Sequence, residues 1–100
     1  MKKVNVAILG ATGAVGQEMI KILYERKFPI GELRLLASKR SAGKAIDTPF
    51  GNLTVIEADK DSFDNMDIVL GASENNIAKR FSNDIIKAGA TFVDNSSAFR

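Results

Sequence analysis

Three glycines spaced three residues apart, Gly10, Gly13 and Gly16, form the segment of this sequence with the clearest chemical use. Glycine at positions 10 and 13 would let the backbone turn tightly and let a pyrophosphate approach without a Cβ in the way. The amides of Thr12 to Val15 would stand at the start of a helix, where the helix dipole favours an anion. The spacing differs from the G-x-G-x-x-G of the standard dinucleotide fingerprint, so a tight turn that binds no nucleotide stays open as an alternative.

A basic loop over residues 38–44 carries the second candidate chemistry. Dinucleotide-binding folds usually place an acidic residue about 20 residues beyond the glycines, where it holds the ribose 2′-hydroxyl. This sequence carries Ser38, Lys39, Arg40 and Ser41 there. An arginine between two hydroxyls would bind a 2′-phosphate through charge-assisted hydrogen bonds, which indicates NADP rather than NAD. The alternative is a solvated basic loop with no ligand.

Two further polar segments follow predicted strands. Ser73, in the segment 71–76, would either cap the next helix or face the ribose or nicotinamide of a cofactor. Asn95 and Arg100 lie in the polar segment 94–100, which reads as a hydrogen-bonded turn. An arginine there is able to hold a phosphate or carboxylate with two parallel hydrogen bonds.

The hydrophobic pattern supplies the elements that would position these residues. An apolar run predicts a buried strand over Val4–Leu9, and helical spacing from Ala14 predicts a helix that ends near Lys27. Further strands are predicted over residues 33–37, 53–56 and 67–72 and over Thr91–Asp94, with an acidic connector over residues 59–67. The strand over residues 53–56 is expected to follow a turn at Gly51 and Asn52.

A second helix is predicted to present Ile77, Phe81, Ile85 and Ala88 on one face. Strands that alternate with helices in this order predict an α/β fold with a Rossmann-like doubly wound, mainly parallel sheet. The sheet is expected to be incomplete at the C-terminal end of the chain.

The composition narrows the chemistry further. The chain of 100 residues is 45% hydrophobic and 26% charged, the balance of one compact soluble domain. It contains no Cys and no His, which excludes thiolate nucleophiles, imidazole chemistry and the usual zinc sites within these residues. A net charge of +2 does not indicate a nucleic-acid partner, and no apolar run reaches a membrane span. We therefore expect no metal, no nucleic acid, no membrane and a cytoplasmic location.

The sequence resembles aspartate-semialdehyde dehydrogenases in three segments: Gly-Ala-Thr-Gly-Ala-Val-Gly, Ser-Lys-Arg-Ser-Ala-Gly and Phe-Val-Asp-Asn-Ser-Ser-Ala-Phe-Arg. The resemblance extends over the whole chain, and the last segment is its most distinctive part. It implies the NADPH-dependent reduction of β-aspartyl phosphate to aspartate semialdehyde, with release of phosphate, on the route to lysine, threonine and methionine.

The resemblance also assigns roles to individual residues. Gly10 belongs to the cofactor-binding turn, in which Thr12, Gly13, Ala14 and Val15 would meet the NADP pyrophosphate. Ser38, Arg40 and Ser41 would bind the 2′-phosphate, and Arg100, with Asn95 shaping the pocket, would bind the acyl phosphate or inorganic phosphate. The segment 71–74 departs from the family pattern, which leaves the role of Ser73 open.

The catalytic cysteine and histidine of that family lie beyond the residues that this chain matches. We therefore expect residues 1–100 to be the NADP-binding domain of a longer, homo-oligomeric enzyme and not to turn over alone. A noncatalytic nucleotide-binding module with the same fold remains the alternative. A sugar-nucleotide reductase or epimerase would need a Tyr-x-x-x-Lys pair, which Tyr24 and Phe28 do not provide.

Overall fold

The structure, a computed structural model, describes residues 3–71 and 81–94. In this part of the chain a helix follows the first strand, five strands then follow in succession, and a second helix precedes the last strand. In chain order they are β1 (Val4–Leu9), α1 (Ala14–Glu25), β2 (Ile30–Ala37), β3 (Ala45–Thr48), β4 (Gly51–Thr54), β5 (Ile56–Glu57), β6 (Ile68–Gly71), α2 (Ser82–Lys87) and β7 (Thr91–Asp94).

A five-stranded sheet in the order β5-β2-β1-β6-β7 forms the centre of the molecule, and each pairing in it is parallel. The chain runs outward from β1 to β2 and β5, then returns to the other side of β1 with β6 and β7. The point between β1 and β6 is therefore a topological switch point, where open α/β sheets bind their ligands. The predicted doubly wound, mainly parallel sheet is confirmed.

Alternating side chains of each strand build two cores, one on each face of the sheet. Val6 and Ile8 of β1 pack on the face that α1 covers, whereas Ala7 and Leu9 pack on the face that α2 and residues 58–66 cover. The buried residues of the α1 face are Val6, Ile8, Ala11, Met19, Ile20, Leu35, Ala37, Val55 and Leu70. Those of the α2 face are Ala7, Leu9, Leu36, Ala58, Phe63, Met66, Val69, Phe81 and Ile85.

The hairpin of β3 and β4 differs from the sequence prediction. The turn lies at Pro49 and Phe50, not at Gly51 and Asn52, which instead pair within the ladder with Thr48 and Asp47. Proline lacks an amide hydrogen and fixes φ, which suits a turn better than a ladder. The Thr48 hydroxyl closes this turn, because it accepts from the Phe50 amide at 3.1 Å and donates to the Gly51 carbonyl at 2.7 Å.

The apolar run over residues 53–56 was predicted as one strand, but its residues are divided between two sheets. Leu53 and Thr54 pair with β3, whereas Ile56 pairs in parallel with Leu36 of the central sheet. Val55, between them, is 1% exposed. The residues from 38 to 55 therefore form the crossover between the adjacent strands β2 and β5, and the hairpin occupies the place of a crossover helix.

The two helices in residues 3–71 and 81–94 end in the same hydrogen-bond pattern, but with different residues at its centre. At the end of α2, Gly89 has φ +81 and donates to the Ile86 carbonyl, and the next amide returns to Ile85. At the end of α1, Lys27 takes the equivalent place with φ +54. These are Schellman caps, which usually place glycine at that position. Neither described helix is long and apolar enough to cross a bilayer.

Candidate dinucleotide-binding site

The glycine turn begins where β1 ends, and its backbone is tied to the neighbouring strand. The amides of Gly10 and Ala11 both donate to the carbonyl oxygen of Leu36 in β2, at 2.8 and 3.1 Å. Gly10 has φ +89, a region that residues with a Cβ rarely adopt. The predicted tight turn at Gly10 is confirmed by this backbone conformation, which directs the chain from the sheet into α1.

Gly16 brings α1 close to the turn. A Cβ built on Gly16 would lie 2.6 Å from the carbonyl oxygen of Gly10 and 2.7 Å from the Cα of Ala11. Both contacts are with backbone atoms, which cannot move aside by rotation of a side chain. Glycine at position 16 is therefore required by packing, as the sequence predicts.

Gly13 differs from its two neighbours, because nothing inside the described fold requires it to be glycine. It lies at the N-cap of α1 with φ −77 and ψ 169, values that any residue adopts. An added Cβ would meet only the Gly10 carbonyl oxygen, at an ordinary 3.6 Å, and the residue is exposed. A glycine without an internal reason at an exposed helix start is what the approach of an anion to the backbone would require.

The first amides of α1 have the free capacity that an anion needs. The first amide to enter the helical pattern is that of Gln17, which donates to the Gly13 carbonyl at 3.1 Å. Among residues 3–71 and 81–94, no acceptor receives a hydrogen bond from the amides of Thr12, Ala14 or Val15. No side chain caps this helix start. These donors fit a pyrophosphate at the positive end of the helix dipole.

The basic loop closes on itself directly after β2. The Ser41 amide donates to the Ser38 carbonyl at 2.9 Å, which is the hydrogen bond of a four-residue turn. The Ala42 amide also reaches the Ser38 carbonyl, at 3.1 Å. The turn therefore brings Ser38 and Ser41 together around Arg40, which is exposed. The predicted 2′-phosphate residues thus share one turn.

The charges of this loop are unpaired within the described part of the chain. The ion pairs found there, Arg34 with Glu32 at 2.8 Å and Lys21 with Glu25 at 4.0 Å, involve neither Lys39 nor Arg40. An arginine without a carboxylate partner keeps its fork of donors free for a phosphate.

Leu36 joins the two candidate segments. Its carbonyl oxygen accepts hydrogen bonds from the Gly10 and Ala11 amides of the glycine turn, and the basic turn begins two residues later, directly after β2 ends. The parallel register, in which Leu9 pairs with both Leu36 and Gly71, places the carboxyl ends of these strands at one edge. Gly71 in turn pairs with Asp94 of β7. Four strands thus end along the edge that holds both segments.

The remaining predicted residues, Ser73, Asn95 and Arg100, lie outside the described residues. The strands that precede them, β6 and β7, end at the edge just described.

Two contributors to the site were missed by sequence reasoning. One is the Leu36 carbonyl, a backbone group for which the residue type gives no signal. The other is Gln17, whose side-chain amide donates to the Thr12 carbonyl at 3.2 Å and so ties the turn to the helix that follows it. Its position one residue after Gly16, on the first turn of the predicted helix, was the available signal.

The switch point, the glycine turn and the free amides define a dinucleotide-binding domain of the Rossmann type. A family model described as semialdehyde dehydrogenase, NAD binding domain, matches residues 5–100. The chain belongs to this family.

The names of similar proteins agree with this assignment. The chain is 50% identical over 97 residues to an aspartate-semialdehyde dehydrogenase from Synechocystis, which covers 97% of this chain and 29% of that protein. It is 44% identical over 96 residues to the enzyme of the same name from Bacillus subtilis, with 96% and 28% covered. The chain therefore spans less than a third of the length of these relatives.

Solved structures give the same result. Aspartate semialdehyde dehydrogenase II from Vibrio cholerae, complexed with ASA, superposes with a TM-score of 0.83 at 37% identity, covering 98% of this chain and 32% of that one. Aspartate semialdehyde dehydrogenase with NADP from Candida albicans superposes with a TM-score of 0.74 at 26% identity, covering 98% and 31%.

Proposed function

We propose that this chain is the NADP-binding domain of an aspartate-semialdehyde dehydrogenase. The main observation behind this proposal is at Leu36. Its carbonyl binds a glycine turn suited to a pyrophosphate, and the arginine turn that follows it is suited to a 2′-phosphate. The family and the names of its relatives supply the reaction class. The whole enzyme would reduce β-aspartyl phosphate to aspartate semialdehyde and release inorganic phosphate.

The proposed division of labour follows the strand ends. The free amides of Thr12, Ala14 and Val15 hold the pyrophosphate, with Gly13 allowing its approach, and the turn around Arg40 holds the 2′-phosphate. The bound nicotinamide supplies the hydride that converts the acyl group to an aldehyde. Asn95 and Arg100, which follow β7 in the sequence, would bind the phosphate of the substrate, and Ser73, which follows β6 in the sequence, would face the cofactor.

The acyl group requires an acceptor that these residues do not contain, since the chain has no Cys. In the proposed enzyme a cysteine thiolate from outside this chain would attack the acyl phosphate and displace phosphate, and hydride transfer would then release the aldehyde. This chain would therefore bind the cofactor without turning over the substrate.

Titration of the chain with NADPH and with NADH tests the proposal. We expect tighter binding of NADPH by about tenfold or more, because a hydrogen bond to a charged group contributes roughly 1.5–3 kcal/mol. Arg40→Ala should remove most of this preference and leave NADH affinity near its starting value. Lys39→Ala, which removes an equal charge from the neighbouring position, should retain most of the preference. Equal affinities for the two nucleotides, or an unchanged ratio in Arg40→Ala, would refute the NADP assignment.

A further inference from the structure

The base of the β3–β4 hairpin contains a β-bulge next to the basic turn. Gly43 and Lys44 together face a single residue, Val55, on the opposite strand. The Gly43 amide donates to the Val55 carbonyl at 2.8 Å, and the Val55 amide donates to the Lys44 carbonyl at 2.8 Å. Gly43 has φ +91, which matches the bulge type whose first residue is a left-handed glycine.

This bulge fixes the far end of the turn that presents Arg40. The near end is fixed by β2, whose last residues pair with β1 and β5. The far end, at Gly43, follows directly after Ala42, which is hydrogen-bonded back to the Ser38 carbonyl. Val55 is 1% exposed, so the bulge is anchored in the core of the sheet. The backbone between these two anchors has little freedom left.

The Arg40 side chain has no hydrogen bond or ion pair with any described residue. Its placement is therefore set by the backbone of the turn rather than by side-chain partners. The position of the Arg40 Cα determines which points its guanidinium fork can reach, and such a fork binds a phosphate with two parallel hydrogen bonds. The backbone anchors fix that Cα position.

We propose that the Gly43–Val55 bulge is a positioning device for cofactor specificity, which holds Arg40 where it selects the 2′-phosphate. This inference rests on the proposed function, because it assigns the preorganisation of the same site. Gly43 is a positioning residue and touches no ligand in this proposal. Bulges beside binding sites re-aim the side chains next to them, and this one would re-aim the turn that carries Arg40.

Gly43 allows a clean test because its surroundings are open. A Cβ added at Gly43 would meet nothing within 4 Å, so a substitution strains only the backbone at φ +91. Valine is strongly disfavoured at such a φ, whereas asparagine tolerates the left-handed region. Gly43→Val should therefore shift the turn without overpacking the core, and Gly43→Asn should keep most of the original conformation.

Two other glycines serve as matched controls. Gly89, at φ +81, and Gly51, at φ +116, also have nothing within 4 Å of an added Cβ. Gly89→Val introduces the same kind of strain far from the turn, at the end of α2. Gly51→Val introduces it at the opposite end of the same hairpin, which separates loss of the bulge from general loosening of the hairpin.

The experiment measures the NADPH and NADH affinities of the full chain carrying each substitution. It also measures hydrogen exchange at the backbone amides of residues 43 and 55. Gly43→Val should lower the ratio of NADPH to NADH affinity by about tenfold, which corresponds to about 1.4 kcal/mol. The NADH affinity should not change, since NADH lacks the 2′-phosphate. Exchange at the Val55 amide should accelerate, and Gly43→Asn should restore most of the ratio.

The outcomes separate the two proposals. An unchanged ratio in Gly43→Val, while Arg40→Ala abolishes the preference, overturns the positioning role and leaves the NADP assignment standing. An equal loss of the ratio in Gly51→Val or Gly89→Val also overturns it, because the effect would then be general. An unchanged ratio in Arg40→Ala overturns the NADP assignment and this inference with it.

Discussion

A Cβ at position 16 would lie 2.6 Å from the carbonyl oxygen of Gly10, closer than side-chain carbons approach oxygen in folded proteins. The first turn of α1 therefore rests directly on the backbone that leaves β1. The amides of Gly10 and Ala11 in that backbone both donate to the Leu36 carbonyl of β2. The glycine turn is a packed junction as well as a candidate binding loop, and the two roles belong to different glycines.

Gly16→Ala is expected to destabilise the chain by roughly 1–3 kcal/mol, the usual cost of overpacking. Alanine favours helices over glycine by about 1 kcal/mol, so any loss measured is a lower bound on the cost of the clash. Urea denaturation of the two chains measures the difference. A Gly16→Ala chain as stable as the original would contradict the close approach of α1 to the turn.

Gly13→Ser is expected to separate stability from binding. Serine is a good N-cap and fits the local φ and ψ, so the free energy of unfolding should rise by a few tenths of a kcal/mol. Nucleotide affinity should fall by about tenfold or more, because the new side chain blocks the anion and its hydroxyl takes helix amides. Thermal melts with and without NADPH measure both effects. Unchanged NADPH affinity would remove Gly13 from the site.

Lys27→Gly is expected to stabilise the chain by about 0.5–1 kcal/mol. Lys27 occupies the left-handed position of a Schellman cap, where its Cβ is unfavourable and glycine is not. Lys27→Ala is the matched control, because it removes the same charge but keeps a Cβ, and it should bring no gain. The midpoints of urea denaturation decide the matter. A larger gain in the alanine variant would assign the effect to charge rather than to backbone conformation.

Arg34→Met is expected to destabilise the chain by roughly 1–3 kcal/mol. The Arg34 guanidinium donates to the carbonyls of Ser62 and Asp64 at 2.7 and 3.1 Å, and so ties β2 to the residues on either side of the buried Phe63. Lys21→Met, which breaks an exposed pair with Glu25, should change stability by less than about 0.5 kcal/mol. Equal effects of the two substitutions, measured by denaturation, would contradict a structural role for Arg34.

Four of the five strands of the central sheet, β1, β2, β6 and β7, were predictable because apolar runs in a parallel sheet are buried on both faces and have few competing interpretations. β1 and β7 lie where the pattern placed them, and β6 begins one residue later than predicted. β2 begins three residues before its predicted start, since Ile30 pairs with Val4 although Pro29 and Gly31 flank it. Pro29 and Gly31 are typical of turns, so the start of β2 can be recognised only from its pairing with β1.

The hairpin was less accessible to sequence reasoning. Gly51 and Asn52 resemble a turn signal. The turn lies at Pro49 instead, because proline cannot donate a ladder hydrogen bond and the Thr48 hydroxyl completes the turn there. The division of the run at Val55 between two sheets depends on tertiary pairing, which no local pattern encodes. The glycine turn and the arginine loop were recognisable from residue types and spacing. The Leu36 carbonyl and the bulge are backbone features that residue types do not predict.

The hairpin crossover between β2 and β5 links the basic turn to the packing beneath it. Residues 38–55 leave the central sheet at one strand end and rejoin it at the adjacent strand, and the hairpin satisfies its backbone through its own ladder. The insert is not independent of the sheet, because Val55 is 1% exposed and Ile46, Phe50 and Leu53 pack against the core of the α1 face. A change in that core would therefore reach the basic turn through the hairpin.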